Sequence, residues 1–261
     1  MKPTALVLLA YGTNRDQDAS EALAFAGAAP EIVPLNTLRA GEKNWSDFQM
    51  LAVPGGFSYA DALGAGKLLA IDLQAYFAEA IRDFVESGKP VIGICNGFQA
   101  LVKAGILPGD QLEKPRLSAN PQSKATLTFN AGGHFECRWV TLKPISQKCI
   151  WTAGLSDLIE CPVAHGEGNF QTADYVLSAD HIALTYVHAD GSLAGGAYPA
   201  NPNGSLDDIA GVTNFRGNVL GLMPHPENHI HPWQHPQWNR GVERGSGLAL
   251  FRNGVKYAEE R

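Results

Sequence analysis

Four cysteines occur in the 261-residue chain, and one of them sits where a nucleophile would. Pro90-Val91-Ile92-Gly93-Ile94-Cys95-Asn96-Gly97-Phe98-Gln99 contains G-x-C-x-G, the cysteine form of a nucleophile elbow. A side chain held on a sharp strand-to-helix turn needs small neighbours two residues away on either side, and Gly93 and Gly97 supply them. The turn also places Cys95 at a helix N-terminus, where the dipole and unpaired N–H groups stabilise a thiolate. Cys137, Cys149 and Cys161 have no such setting and read as ordinary free thiols, with no CxxC pairing to suggest a metal or redox motif.

A sulfur nucleophile that attacks a carboxamide needs a group to take and return protons. Of the eight histidines, the best placed is His225 in Gly221-Leu222-Met223-Pro224-His225-Pro226-Glu227, directly after an apolar strand. Pro226 biases His225 toward extended backbone. Residues two apart in such a segment point the same way, so Glu227 can lie beside the imidazole and orient it, as the third member of a triad does. A surface turn with an incidental histidine would explain P-H-P-E taken alone; the elbow at Cys95 is what favours the triad.

These groups need a scaffold, and the first half of the chain offers one. Ala5 to Ala10, Met50 to Val53 and Pro90 to Ile94 are short apolar runs that read as buried strands. Between them, Asp16 to Ala28, Asp61 to Ser87 (with a break near Gly64 and Gly66) and then Asn96 to Ala104 read as helices. This alternation predicts an α/β fold: a three-layer, flavodoxin-like sandwich around a mostly parallel sheet. The second half predicts strands at Thr126–Phe129, Phe135–Leu142, Ile182–Val187, Ile209–Asn214 and Val219–Met223, joined by turns and added antiparallel to the sheet. A last helix is expected from Ser246 to Ala258, bent near Gly254.

Composition sets outer limits. An apolar fraction of 45% with 18% charged residues is that of a folded domain, and a net charge of -6 gives no reason to expect nucleic acid or an anionic membrane as partner. No apolar run has a transmembrane length and the N-terminal one is too short for a signal peptide, so the expected location is the cytoplasm.

With Cys95, His225 and Glu227 assembled, the chain resembles the class I (triad) glutamine amidotransferases. Four segments in order narrow the resemblance to the glutaminase subunits of phosphoribosylformylglycinamidine synthase, in a long form: Pro54-Gly55-Gly56-Phe57-Ser58-Tyr59-Ala60-Asp61, the Cys95 segment through Gln99, Ala164-His165-Gly166-Glu167-Gly168-Asn169-Phe170, and Pro224 to Glu227. The resemblance implies one amidotransferase domain over 1–261 with a C-terminal extension at about 228–261. It implies hydrolysis of glutamine through a thioester on Cys95, with the ammonia passed to a synthetase subunit and a third small subunit joining the complex. ATP and magnesium are expected in the synthetase, and neither cofactor nor metal in this subunit. Gly55 and Gly56 end a strand where bare backbone can approach a ligand, and an N–H there could join that of Asn96 in an oxyanion hole. Gln99, one helical turn past Cys95, could hydrogen-bond the substrate. His165, Gly166 and Glu167 correspond to the loop that holds the amino-acid end of glutamine, although a structural loop histidine explains His165 equally well.

The chain departs from the family pattern in the early loop Tyr11-Gly12-Thr13-Asn14-Arg15-Asp16, where the family often has proline before the glycine and cysteine at the position of Arg15, and at Asn228, where arginine usually follows the triad glutamate. In the segment after them, His229, His231 and His235 have a spacing compatible with metal ligation, but their Trp- and Pro-rich setting favours packing. Three alternatives stay open: a glutaminase of a different biosynthetic amidotransferase, a related cysteine hydrolase or peptidase with its base elsewhere, and a glutamine-sensing subunit that keeps the fold without the chemistry.

Overall fold

Strand polarity is what brings the chemistry together. In the computed structural model, which describes residues 2–108, 125–172, 177–241 and 246–261, the elements in chain order begin with β1 (Thr4–Leu9), α1 (Asp16–Ala26), β2 (Ala29–Pro34), α2 (Leu35–Arg39), β3 (Met50–Val53), α3 (Lys67–Tyr76), α4 (Ala78–Glu86), β4 (Val91–Ile94) and α5 (Asn96–Lys103). They continue with β5 (Ala125–Thr128), β6 (Glu136–Pro144), β7 (Ile159–His165), β8 (Asn169–Thr172), β9 (Ile182–Val187), β10 (Ile209–Thr213), β11 (Val219–Leu222) and α6 (Leu248–Glu259). Nine strands form one sheet in the order β2-β1-β3-β4-β11-β10-β9-β6-β7. The first five of these run parallel, and the remaining four are added antiparallel.

The inner parallel strands are buried on both faces. β3, β4 and β11 contain no exposed residue, which is why they read as continuous apolar runs. The chain moves outward from β1 to β2 and then back across to β3 and β4. Right-handed crossovers therefore put α1 on one face and α3 and α5 on the other. α6 returns to the α1 side and packs against it. The β3–β4 and β4–β11 registers pair Val53 with Gly93 and Ile94 with Leu222. The residues that follow these strands thus emerge side by side at one edge of the sheet, where open α/β sheets bind ligands.

Several expectations need correction. β2 has only Val33 buried and a proline at each end, so an edge strand hid behind a turn-like composition. β7 and β8 also escaped the pattern. β7 carries Pro162, which is tolerated because β7 is the other edge of the sheet. β5 does not join the main sheet; it pairs with β8 in a separate two-stranded ribbon. The expected long helix from Asp61 is two helices. It begins only after Gly66 (φ +68°) and breaks at Phe77, whose buried ring packs on Trp45 with centroids 5.5 Å apart. α6 is continuous through Gly254. Glycine is needed there because a Cβ would lie 2.2 Å from the Trp151 ring.

Candidate active site

Cys95 follows the last residue of β4 and precedes the first of α5, with φ 49° and ψ −106°. A non-glycine residue in that region costs about 1–3 kcal/mol and persists only where its surroundings enforce it. They do so here. Cys95 N–H donates to Leu222 O at 2.8 Å and Gln99 N–H to Cys95 O at 3.0 Å, tying the turn to β11 in front and α5 behind. A Cβ on Gly97 would lie 1.9 Å from Val53 O, and one on Gly93 would lie 2.4 Å from a Leu101 methyl. The two elbow glycines therefore let α5 press against β3 and β4.

His225 and Glu227 meet Cys95 from the end of β11. His225 N–H donates to Pro162 O at 2.8 Å, which anchors the segment to β7. The His225 Nδ1 and Glu227 Oε1 are 2.7 Å apart, and both side chains are buried. The opposite ring nitrogen, Nε2, is buried without a nitrogen or oxygen partner among the described residues. Burial alone would lower the His225 pKa, but the Glu227 carboxylate and the adjacent Cys95 sulfur outweigh it and drive it upward. Gly55, at the end of β3, closes over the pair: a Cβ there would lie 2.8 Å from His225 Cε1 and 3.4 Å from Cys95 Cβ. Backbone is all that fits against this dyad.

Cys95 opens into a cleft of about 180 Å³ lined by Gly56, Asp61, Gln99, His165, Gly166 and Glu167, with Phe57, Phe129 and Phe135 at its more exposed parts. Of the residues expected to catalyse or bind glutamine, Cys95, Gly56, Gln99, His165, Gly166 and Glu167 line it directly; Asn96 follows Cys95, Gly55 and His225 pack beside it, and Glu227 lies behind His225. The Cys95 Sγ lies 3.8 Å from Ala164 O. Gln99 spends its amide on the scaffold: Nε2 donates to Glu167 O at 2.7 Å and Oε1 accepts from Asn96 Nδ2 at 3.1 Å. The Asn96 side chain also holds Asp61 Oδ1 at 2.8 Å and accepts from Ser58 Oγ at 2.5 Å. The Glu167 carboxylate faces Ala65 N–H at 3.3 Å and Lys103 Nζ at 3.8 Å. One polar network thus joins α5, the 165–168 loop and the 57–66 segment.

That last segment is strained. Tyr59, Ala60 and Asp61 all have φ of 52–55°, and Leu63 has φ 66°. Tyr59 N–H donates to Tyr11 O at 2.6 Å, and the Tyr59 hydroxyl lies 2.5 Å from Asp72 Oδ2. Tyr59 is consequently turned into the structure, while Phe57 and Tyr11 present exposed rings.

His165 is buried. Burial and the neighbouring His225 push its pKa down to about 4, so it is neutral near pH 7. Its partner is a residue that sequence reasoning missed. The buried Asn130 sits in Phe129-Asn130-Ala131-Gly132-Gly133, a stretch whose only sequence signal is that of a turn. Asn130 Nδ2 donates to His165 O at 2.8 Å and His134 O at 3.0 Å, while Oδ1 faces Gly168 N–H at 2.9 Å and His165 Nδ1 at 3.1 Å.

Arg15 and Asn228 converge on one carboxylate: Asp18 Oδ2 is 2.9 Å from Arg15 Nη1 and 3.0 Å from Asn228 Nδ2. The two departures together fasten the start of α1 to the residue after Glu227. The histidine-rich segment is occupied in packing. His229 Nδ1 meets Glu160 O at 2.5 Å, His235 Nε2 meets Glu160 Oε2 at 2.9 Å, and His231 contacts Glu21 while stacking on Trp233. Trp139 packs edge-on against both His229 and His235. Among the described residues, no group of three or more His, Cys, Asp or Glu side chains is arranged to hold a metal ion.

Comparison with known proteins gives the family. The model of the CobB/CobQ-like glutamine amidotransferase domain matches residues 2–258. The chain is 56% identical to phosphoribosylformylglycinamidine synthase subunit PurQ of Treponema denticola, over 98% of this chain and 99% of that one. The chain belongs to the PurQ family of glutamine amidotransferases. Its members include the Dehalococcoides mccartyi subunit, 44% identical over 99% of both chains. A chain in the solved structure of PurLQS from Thermotoga maritima superposes with a TM-score of 0.73 at 32% identity, covering 98% of this chain and 99% of that one. The family's glutamine amidotransferase domain matches residues 2–258, and among the described residues four antiparallel strands extend a five-stranded parallel core. Among the described residues, no helix is long and apolar enough to cross a membrane.

Proposed function

We propose that the chain hydrolyses glutamine to glutamate and ammonia in the cytoplasm and delivers the ammonia to a synthetase subunit. That subunit, with ATP and magnesium, converts formylglycinamide ribonucleotide to the amidine in purine biosynthesis. A third small subunit completes the complex. The observation that carries this reading is the elbow cysteine beside a buried His225–Glu227 pair 2.7 Å apart, at the floor of a cleft.

The chemistry follows from that arrangement. The Cys95 sulfur, its proton transferred to His225 Nε2, attacks the carboxamide carbon. Negative charge develops on the carboxamide oxygen, where the N–H groups of Asn96 and of the Gly55-Gly56 turn would receive it. The His225 imidazolium gives its proton to the leaving nitrogen, the C–N bond breaks, and ammonia departs from a Cys95 thioester. His225 then removes a proton from water, which attacks the thioester, and glutamate leaves as the thiol re-forms. Glu227 holds the imidazole in the tautomer with Nδ1–H and stabilises its cationic form without itself taking the proton. His165, Gly166 and Glu167 frame the amino-acid end of the substrate. Gln99 acts by positioning Glu167 and Asn96, both of which it hydrogen-bonds. The residues from 228 onward act as part of the same single domain.

The test is reconstitution with the synthetase, ATP, magnesium, glutamine and the ribonucleotide, with ammonia and amidine both measured. Glutamine-dependent amidine formation that requires this chain is expected. Amidine formation from added ammonia but never from glutamine would overturn the proposal.

A further inference from the structure

The Asn130 amide has four hydrogen-bonding positions, two donor and two acceptor, and each faces a partner in the 134–168 region. Its orientation is dictated by backbone. Nδ2 faces two carbonyl oxygens, of His134 and His165, and Oδ1 faces the Gly168 N–H. Turning the amide over would set its oxygen against two carbonyls and an NH₂ against an N–H, leaving buried polar groups unsatisfied. With Oδ1 thus an acceptor, the His165 nitrogen 3.1 Å from it must be the one that carries hydrogen. The other nitrogen, Nε2, is buried, has no hydrogen-bond partner among the described residues, and belongs to a side chain that lines the cleft. The ring packs directly over Gly168, where a Cβ would lie 2.3–2.7 Å from three of its atoms, so only glycine fits beneath it.

We propose that Asn130 is a positioning residue for glutamine hydrolysis: it holds His165 in the Nδ1–H tautomer, so that Nε2 presents a lone pair to an N–H donor of the bound substrate. The inference rests on the glutaminase reading of the cleft. It adds a residue outside the sequence motifs and a defined chemical polarity for His165. A neutral acceptor suits this place. An imidazolium would confront the His225 cation formed during the reaction, and an Nε2–H tautomer would offer a donor to the ammonium or carboxamide N–H of glutamine. The ionisable groups around His165 are His225, Glu136 across the β6–β7 ladder, and Cys95, Asp61 and Glu167 in the cleft.

The most direct test needs no variant. In the full-length chain labelled with ¹⁵N-histidine, with the His165 signals assigned by their loss in His165→Gln, long-range proton–nitrogen spectra at neutral pH should show hydrogen on Nδ1 and a bare Nε2. Asn130→Asp removes both donors and sets a carboxylate against Nδ1, which favours protonated His165. In the complex with the synthetase, its KM for glutamine should rise about tenfold or more at pH 6. That rise should diminish as pH increases, whereas the wild-type KM stays flat over the same range. A glutamine analogue without the α-amino group separates the two candidate donors: loss of the Asn130→Asp penalty with it assigns the contact to the ammonium, and retention assigns it to the carboxamide. Hydrogen on Nε2 in the wild type, or an Asn130→Asp KM with wild-type pH dependence, would overturn the proposal. Failure of the glutaminase reading would look different: the wild-type complex would not hydrolyse glutamine, while the tautomer measurement, made without substrate, would stand.

Discussion

Replacing Glu227 with glutamine removes one charge from the site and leaves its shape. In the native protein the carboxylate lies 2.7 Å from His225 Nδ1, both groups are buried, and the pair opposes the penalty of burying an imidazolium. A hydrogen bond to a charged group contributes about 1.5–3 kcal/mol. At about 1.4 kcal/mol per factor of ten, its loss from the transition state predicts a fall in kcat of roughly 10- to 100-fold. Cys95→Ala and His225→Ala remove chemical groups and should cost more. The pH dependence carries a second signature. Because the folded pKa of His225 is raised, the stability it contributes is fully present below its unfolded value of about 6.5 and is lost as pH rises through the higher folded value. Glu227→Gln lowers the folded value, so both the alkaline loss of stability and the basic limb of kcat/KM should move to lower pH. Steady-state glutaminase kinetics with the synthetase present, over pH 6–10, would measure the limb, and thermal melts over the same range would separate folding from catalysis. A variant with an unmoved basic limb, or one as inactive as Cys95→Ala, would refute the assignment of Glu227 as the group that orients and charges His225.

Three further outcomes follow from the same contacts. Gly55→Ala should lower kcat by about 100-fold with a folded, thermally stable chain, because its Cβ would displace the His225 ring from 2.8 Å away, and kinetics beside a melting curve would show it. Gly254→Ala should do the reverse, destabilising by about 1–3 kcal/mol in urea titrations through its clash with Trp151 while glutaminase turnover persists. Phe57→Ala should reduce the stimulation of glutaminase activity by the synthetase and leave thioester formation intact, since Phe57 is exposed at the cleft beside the strained 59–63 turn; equal stimulation of variant and wild type would count against a partner-sensing role for this segment.

Much of this architecture was legible from sequence because the information is local. Apolar runs bounded by glycine or proline placed β1, β3, β4 and β11, and G-x-C-x-G declares a steric need that the 1.9 Å approach at Gly97 makes concrete. The elements that escaped reading are defined by their neighbours. β2 and β7 are edge strands with prolines, recognisable only once the sheet order is known. Phe77 breaks a helix because Trp45, distant in sequence, receives its ring. Gly254 looked like a helix bend and is a packing notch for Trp151. Tyr59 turns inward because the Asp72 carboxylate, thirteen residues on, captures its hydroxyl. Asn130 carries no motif at all. Its importance exists only in the pairing of its amide with a loop 35–38 residues away.

The central claim is that Cys95 is the nucleophile, and it can be tested by covalent capture. The chain, in complex with the synthetase, would be treated with a diazo-ketone analogue of glutamine and digested, and each of the four cysteine peptides would be weighed. The account predicts one adduct, on Cys95, blocked by excess glutamine and absent from His225→Ala at short times. Burial keeps Cys149 as a thiol, and burial together with the Glu227 and Glu160 carboxylates does so for Cys161; Cys137 is exposed and is not one of the residues that line the cleft. Glutamine-protected labelling of Cys137, Cys149 or Cys161 with Cys95 unmodified would contradict it.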